Sequence, residues 1–282
     1  MGEEVSSKFN EYCLYSVTAP WKLHVKPFRL APRIYYVGNE WVGAFLVDTE
    51  DGLILIDTVV FETTYLTLEN IRLLGFNPQD IRHIFLTHCH MDHTGGAEAI
   101  RQLTGAKVWM SKTDADLRNN PRITGMGKMK TITFNTPPYE VDCFYDNEAA
   151  MQFGSVKIQT ILTPGHTPGT TSFVITMPDE NGNPVTAALH GGVGPMTMTN
   201  AIYDSLGAPH SLRRTFIEDC EKLKKIHVDI AVPSHPAHGD LFARREKDLN
   251  DYHCFVDDKQ WSEFLDSRKE FVERLDRKEA GL

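Results

Sequence analysis

The six residues His88-Cys89-His90-Met91-Asp92-His93 constrain this chain more than any others. They follow Ile81–Thr87, an apolar and β-branched run with the composition of a strand leaving a sheet. They precede Thr94-Gly95-Gly96, where a turn leads into a helix. Three imidazoles and a carboxylate are thus crowded onto a strand-to-helix loop. His88 and His90 sit two apart, so in extended chain both rings point to one side. Asp92 and His93 come after the chain has begun to turn and face a second point. Imidazole nitrogen and carboxylate oxygen are good ligands for first-row metals, and zinc takes about four of them. One cluster this short can feed two neighbouring metals.

A metal centre draws ligands from several places in a chain, and two more histidines stand just past the ends of strands. His166 lies in Thr163-Pro164-Gly165-His166-Thr167-Pro168-Gly169, whose prolines and glycines imply a rigid turn that projects the ring from a sheet edge. His235 lies in Ala231-Val232-Pro233-Ser234-His235-Pro236, at the end of the last strand.

Strand and helix signals alternate along the chain. Arg33–Val37, Val42–Asp48 and Leu53–Asp57 are short apolar runs separated by Gly38-Asn39 and Asp51-Gly52, which predicts a meander. Phe61–Leu74 has helical spacing and stops at Gly75. Strand Ile81–Thr87, helix Ala97–Leu103 and strand Ala106–Met110 follow. The second half repeats the rhythm, with strands Lys157–Leu162, Thr171–Ile175 and Val185–Leu189, helix Leu212–Ile226, and strand Val228–Val232. Trp261–Leu275 closes the chain as an amphipathic helix. Two halves, each a meander followed by a helix, predict an α/β fold of two sheets packed face to face with helices outside. Residues 119–146 are irregular and rich in Pro, Met and Gly, and read as a loop or helix over the site.

His-x-His-x-Asp-His, Pro-Gly-His-Thr-Pro-Gly and a late Pro-x-His-Pro together resemble the metallo-β-lactamase superfamily, from about Phe28 to about Arg245. Within it the chain is most similar to the third subclass of zinc β-lactamases. Thr104-Gly105-Ala106-Lys107-Val108, Pro233-Ser234-His235-Pro236 and a ligand set without cysteine carry that likeness. The resemblance implies one domain over residues 1–282, an αββα sandwich of two mixed sheets with a core at about 28–245 and a C-terminal helix at about 258–276. It implies two zinc ions, one on His88, His90 and His166 and the other on Asp92, His93 and His235. It matches Asp57 to a carboxylate that supports the first motif from behind the ligands. The implied chemistry is attack on a carbonyl by a zinc-bound hydroxide, since zinc lowers the pKa of water toward ~7. Asp92, both ligand and orienter of the nucleophile, is the catalytic candidate.

The chain also departs from its relatives. Many hydrolases of the superfamily, including thioester hydrolases and acyl-homoserine lactonases, bridge their metals with an aspartate at the end of the strand matched here by Ala187-Ala188-Leu189-His190-Gly191-Gly192; this chain has glycine there, which weakens the thioesterase and lactonase readings and agrees with the third subclass. The zinc β-lactamase subclass usually presents a serine where Gly192 falls, so Gly192→Ser is expected to restore a hydroxyl for a substrate carboxylate and lower KM, unless a left-handed backbone there demands glycine. The expected function is hydrolysis of a β-lactam-like cyclic amide. The alternative is a cytoplasmic zinc hydrolase of another small ester, lactone or amide with little or no β-lactamase activity. A flavodiiron-type oxidoreductase needs a carboxylate bridge and a flavin domain, and neither is visible in the sequence.

Composition narrows the partners. A formal charge of −9 argues against a nucleic-acid binder, including the nucleases of the superfamily, and leaves a small-molecule substrate as the expectation. No apolar run approaches the ~20 residues that span a bilayer, so no membrane partner is expected. The five cysteines, Cys13, Cys89, Cys143, Cys220 and Cys254, are odd in number and form no C-x-x-C pair. With an acidic, polar start they predict a cytoplasmic protein; removal of a signal would make it periplasmic or secreted. The sequence leaves the oligomeric state open.

The remaining features read as structural. His190, His210, His227, His238 and His253 are expected at the surface or in the core, with His190 and His238 nearest the ligand loops. Cys89 alternates away from His88 and His90 and is expected to be buried. The methionines of Met126–Met129 and Met196-Thr197-Met198 are expected to pack, with the lining of an apolar pocket as the alternative.

Overall fold

The computed structural model describes residues 2–128, 132–145 and 149–281. Two mixed sheets carry the fold. The first has seven strands in sequence order: β1 (Phe28–Ala31), β2 (Ile34–Tyr36), β3 (Phe45–Asp48), β4 (Leu53–Ile56), β5 (Ile81–Phe85), β6 (Lys107–Met110) and β7 (Cys143–Phe144). Strands β1 to β4 run antiparallel and β4 to β7 parallel. The second holds β8 (Met151–Phe153), β9 (Val156–Leu162), β10 (Thr171–Pro178), β11 (Pro184–Leu189) and β12 (Ile230–Val232), with β12 parallel to β11.

The period-2 rule sorts the core into layers. Phe45, Val47, Ile54, Ile56 and Phe85 face inward and meet Ile158, Phe173, Ile175 and Leu189 of the other sheet. Their alternates Leu46, Leu55 and Ile84 face outward, under Ile71 and Ile100 of helices Thr64–Leu73 and Ala97–Thr104. On the far side Ala188 and Ala231 lie under Phe216 and Leu223 of helix Leu212–Leu223 and under Trp261 and Leu265 of helix Gln260–Glu279. Phe85 joins the sheets, with ring centroids 5.5 Å from Tyr145 and 5.9 Å from Phe173. Truncating it to Ala would cost ~3–5 kcal/mol.

Several elements differ from their sequence outlines, for local reasons. The expected strand Val42–Asp48 begins only at Phe45. Asn39 Oδ1 takes the amides of Trp41 and Val42, and the Gly43 amide goes to Ser234 O across to the other sheet. The strand at Leu53 ends at Ile56 because Asp57 turns left-handed, at φ 59°. The strand at Ile81 ends at Phe85, and the Thr87 amide goes to Asp57 instead of a ladder. The C-terminal helix runs Gln260–Glu279, beyond the expected 276.

Helix Gly2–Thr18 was not legible as a helix, since its buried stripe mixes Tyr12 and Cys13 with Ser16. Within 119–146 the chain forms helix Pro121–Gly125 and strand β7, and Ile123 and Phe134 pack with Trp41 in the first sheet's outer core. Met129 and Asp146, at the edges of two expected features, lie outside the described residues. Among the described residues no helix is long and apolar enough to cross a membrane.

Candidate metal centre

Four strands that carry the site end at one edge of the sandwich. Strand β5 leads into Thr87–His93, β9 into the His166 turn, β11 into Gly191–Thr197, and β12 into His235. Ligand sites beyond the carboxyl ends of strands suit such sheets, because loops there vary while the strands hold them. Two bonds tie the sheets together at this edge: Thr171 N–H to Thr87 O (2.9 Å) and Gly43 N–H to Ser234 O (2.9 Å).

The sequence candidates fall into two groups. His88, His90 and His166 each offer a ligand atom within 4.8 Å of the others, and so do Asp92, His93 and His235. In the first group His90 Nδ1 lies 3.0 Å from His166 Nε2. In the second His93 Nε2 lies 3.3 Å from His235 Nε2, and Asp92 Oδ2 lies 3.6 and 3.5 Å from those two nitrogens.

Partners behind the rings decide which nitrogen faces the group. His93 Nδ1 sits 2.7 Å from Asp57 Oδ2, and His235 Nδ1 sits 2.9 Å from Trp41 O. His166 Nδ1 is 2.8 Å from Gly194 O and 2.8 Å from Thr197 Oγ1. Carbonyl and carboxylate oxygens only accept, so in each case Nδ1 carries a proton and Nε2 is the nitrogen turned to the group. His88 works through one more step. Thr87 Oγ1 donates to the Asp57 carboxylate (2.9 Å) and therefore accepts from His88 Nδ1 (3.0 Å). The remaining atom, His88 Nε2, is buried with no protein partner. Converging lone pairs at these separations repel one another unless a proton or a cation lies among them. The donor set of nitrogen and carboxylate oxygen, with its outer hydrogen bonds in place, fits zinc.

Electrostatics agree with that geometry. Burial, then the neighbouring imidazoles, pushes His88 well below the ordinary histidine range. Burial takes His166 down to about 4, against the Gly194 carbonyl. Burial would raise the Asp92 carboxyl, but His93 and His235 outweigh it and hold it below the usual range. His93 moves the other way, because Asp57 and Asp92 outweigh its burial. His88 and His93 are 1% exposed, whereas the Asp92 and His235 side chains keep 18% and 19%. The centre is therefore sealed at His88, His90 and His93 and open where Asp92, His166 and His235 are partly exposed.

Asp114 was missed by sequence reasoning. It is fully buried, and its carboxylate binds both ligand loops: Cys89 N–H (2.9 Å), the Thr167 hydroxyl (2.7 Å) and Gly169 N–H (2.7 Å). Its one sequence signal is Ser111-x-x-Asp114, which reads as an ordinary helix cap; Ser111 Oγ does accept the Asp114 amide (3.1 Å). Thr87, Thr197 and the Gly194 and Trp41 carbonyls were also beyond the sequence, since a backbone oxygen has no signature.

The other histidines divide. His210, His227 and His253 are exposed beside Asp204, Asp229 and Asp251. His190 is fully buried, and its Nδ1 accepts the Gly192 amide (3.3 Å). The His238 ring lies tilted against the His235 ring, with centroids 5.1 Å apart. Cys89 is 3% exposed. Met198 is buried, but Met196 is 78% exposed beside the His166 turn and does not pack. Gly192 abuts a candidate ligand: a Cβ there would stand 2.6 Å from His166 Cδ2.

A profile of the metallo-beta-lactamase superfamily matches residues 42–235, which include every residue of both groups. Among solved structures, the metallo-beta-lactamase GOB-18 from Elizabethkingia meningoseptica is 28% identical, with a TM-score of 0.79 over 93% of this chain and 96% of that one. BJP-1, a subclass B3 metallo-beta-lactamase of Bradyrhizobium japonicum, is 25% identical, with a TM-score of 0.76 over 93% of this chain and 98% of that one. Among curated relatives, the N-acyl homoserine lactonase AttM of Agrobacterium fabrum is 29% identical over 119 residues, 40% of this chain and 42% of AttM. The alignments span about two fifths of the length of the first curated relatives matched, 43% and 42%. By a profile match covering most of its length, and by the fold built around the motif, the chain belongs to the metallo-β-lactamase superfamily.

Proposed function

We propose that this chain is a zinc-dependent hydrolase that opens a small cyclic carbonyl substrate, with a β-lactam-like amide as the first candidate. His88, His90 and His166 would hold one ion, and Asp92, His93 and His235 the other. Bound zinc supplies activated water at neutral pH and polarises a carbonyl oxygen.

The chain's own residues do the rest. Asp57 and the Gly194 and Trp41 carbonyls fix ring orientation, so the lone pairs converge before any ion arrives. Asp92, partly exposed and held as the anion by His93 and His235, stands where it can take a proton from an approaching nucleophile. Substrate comes from the side where Asp92, His166 and His235 are partly exposed, because His88, His90 and His93 are sealed. The observation that carries the reading is the pair of preorganised all-His/Asp groups. Likeness to GOB-18 and BJP-1 across nearly the whole chain supports the cyclic amide.

A second reading, a lactone or other small ester, draws on Gly192. With His166 against it, position 192 offers no side chain to a substrate carboxylate, a group β-lactams carry. The partial match to AttM points the same way. Elemental analysis of zinc-supplied protein, followed by turnover of nitrocefin, benzylpenicillin and a set of acyl-homoserine and simple lactones, tests both. Two zinc ions with β-lactam turnover above that of lactones is the expected result. Lactone turnover alone selects the second reading, and protein containing only iron, or no metal, sinks both.

A further inference from the structure

Asp114 belongs to neither ligand group, yet it is bonded to both loops that carry the first one. It lies in helix Lys112–Leu117 and is fully buried. Its Oδ2 accepts the Cys89 amide, which sits between His88 and His90, and the hydroxyl of Thr167, the residue after His166. Its Oδ1 accepts the Gly169 amide, at the far end of the His166 turn. The second glycine of the Pro-Gly-His-Thr-Pro-Gly run follows from this contact. A Cβ at Gly169 would stand 2.5 Å from Asp114 Oδ1 and 2.4 Å from Ser111 Oγ.

The second group is held by other means. Asp57 and Thr58 fix His93, the latter through its amide to His93 O (2.8 Å), and the Trp41 carbonyl fixes His235. We propose that Asp114 is a positioning residue that sets the spacing of His88, His90 and His166, so that the affinity of the first metal depends on it and that of the second does not. The proposal rests on reading those histidines as metal ligands.

Asparagine is the informative substitute. Its single carbonyl can face either the Cys89 and Thr167 donors or the Gly169 amide. Either way its NH2 meets a buried N–H, and one of the two loops loses a bond to residue 114. Thr167 supplies a milder test, since Ser keeps the donor and Val removes it.

The experiment is a Co2+ titration of metal-free protein read by visible absorption, in which three nitrogens and a mixed nitrogen–oxygen set give distinct bands. For Asp114→Asn the expected result is an affinity loss of about 10–100-fold at the three-histidine site, with the other site unchanged. In the metal-free variant the Cys89 and Gly169 amides exchange hydrogen faster than in wild type. Thr167→Val follows in the same direction, and Thr167→Ser stays with wild type. Unchanged affinity in Asp114→Asn, or equal loss at both sites alongside a lowered Tm, would overturn the proposal. If Asp114→Asn does not fold, equal first-site affinity in Thr167→Val and Thr167→Ser overturns it. Wild-type protein that binds no Co2+ refutes the ligand reading and the proposal together, an outcome distinct from normal binding in every variant.

Discussion

Asp57 Oδ2 and His93 Nδ1 meet at 2.7 Å, both sealed from solvent. The same carboxylate accepts the Thr87 hydroxyl that faces His88 Nδ1, so one buried acid orients a histidine in each group. Asp57→Asn isolates its charge, because Asn tolerates the left-handed φ of 59° that Asp57 adopts. An amide oxygen turned to His93 sets NH2 against the Thr87 amide. Turned the other way, it forces His93 into the tautomer with a proton on Nε2. Metal affinity should fall about 10–100-fold, at both sites. Chelator competition measures this, and wild-type affinity in the variant would refute the shared role.

Gly192 reverses an expectation drawn from sequence. A serine there would be expected to restore a hydroxyl for a substrate carboxylate and lower KM. The structure puts the His166 ring where its Cβ would go, 2.6 Å from Cδ2 and 2.9 Å from Cγ. His166 is held from behind by Gly194 O and Thr197, so it cannot yield without losing its aim. The backbone at 192 is not left-handed, so close approach is what demands glycine. Gly192→Ser and Gly192→Ala should therefore fail alike, losing first-site metal and kcat rather than gaining affinity. Steady-state kinetics with metal analysis on both variants decides the matter. A serine variant with lower KM and full metal would show that the loop has room.

The candidate ligands stood out because their chemistry is rare: three imidazoles and a carboxylate within six positions have few structural uses. The layers were legible because β3 and β4 are short, nearly continuous apolar runs, the pattern of strands buried on both faces. Backbone partners were not, because the Trp41 and Gly194 carbonyls that set ring tautomers could belong to any residue. Asp114 hid inside a helix cap, and its second role arises only when the turn after β9 folds onto the loop after β5. Helix Gly2–Thr18 hid for another reason. Phe9 and Tyr12 pack on the single ring of Trp41, so no continuous apolar stripe is needed.

Asp92→Asn separates chemistry from stability. The carboxylate lies 3.5 Å from His235 Nε2 and 3.6 Å from His93 Nε2 and keeps partial exposure, so its substitute meets no buried demand for charge. On the proposed reading, removing the charge takes away an anionic ligand and a partly exposed proton acceptor. Turnover should fall by at least about 100-fold, in the range of general-base contributions, while the Tm of the metal-free protein stays near wild type. A variant with normal melting and near-full turnover would remove Asp92 from the mechanism.

His190 gives the fold an acid limit of its own. Its Nδ1 accepts the Gly192 amide, and its ring packs 5.2 Å from Phe216, so there is no anion to receive a second proton. Burial pushes it down to about 3 from an ordinary 6.5. The unfolded chain therefore binds a proton that the folded chain refuses between those values. Stability is complete above the unfolded value and is lost as pH falls toward the folded one. From pH 8 to pH 5 this single group should cost about 2 kcal/mol. Asn at 190 can still present an oxygen to the Gly192 amide and does not titrate. Urea unfolding of metal-free protein at both pH values should show wild type losing about 2 kcal/mol more than His190→Asn, since the ligand histidines titrate in both and cancel. Equal losses would mean that His190 takes its proton within the folded state, and the acid limit would lie elsewhere.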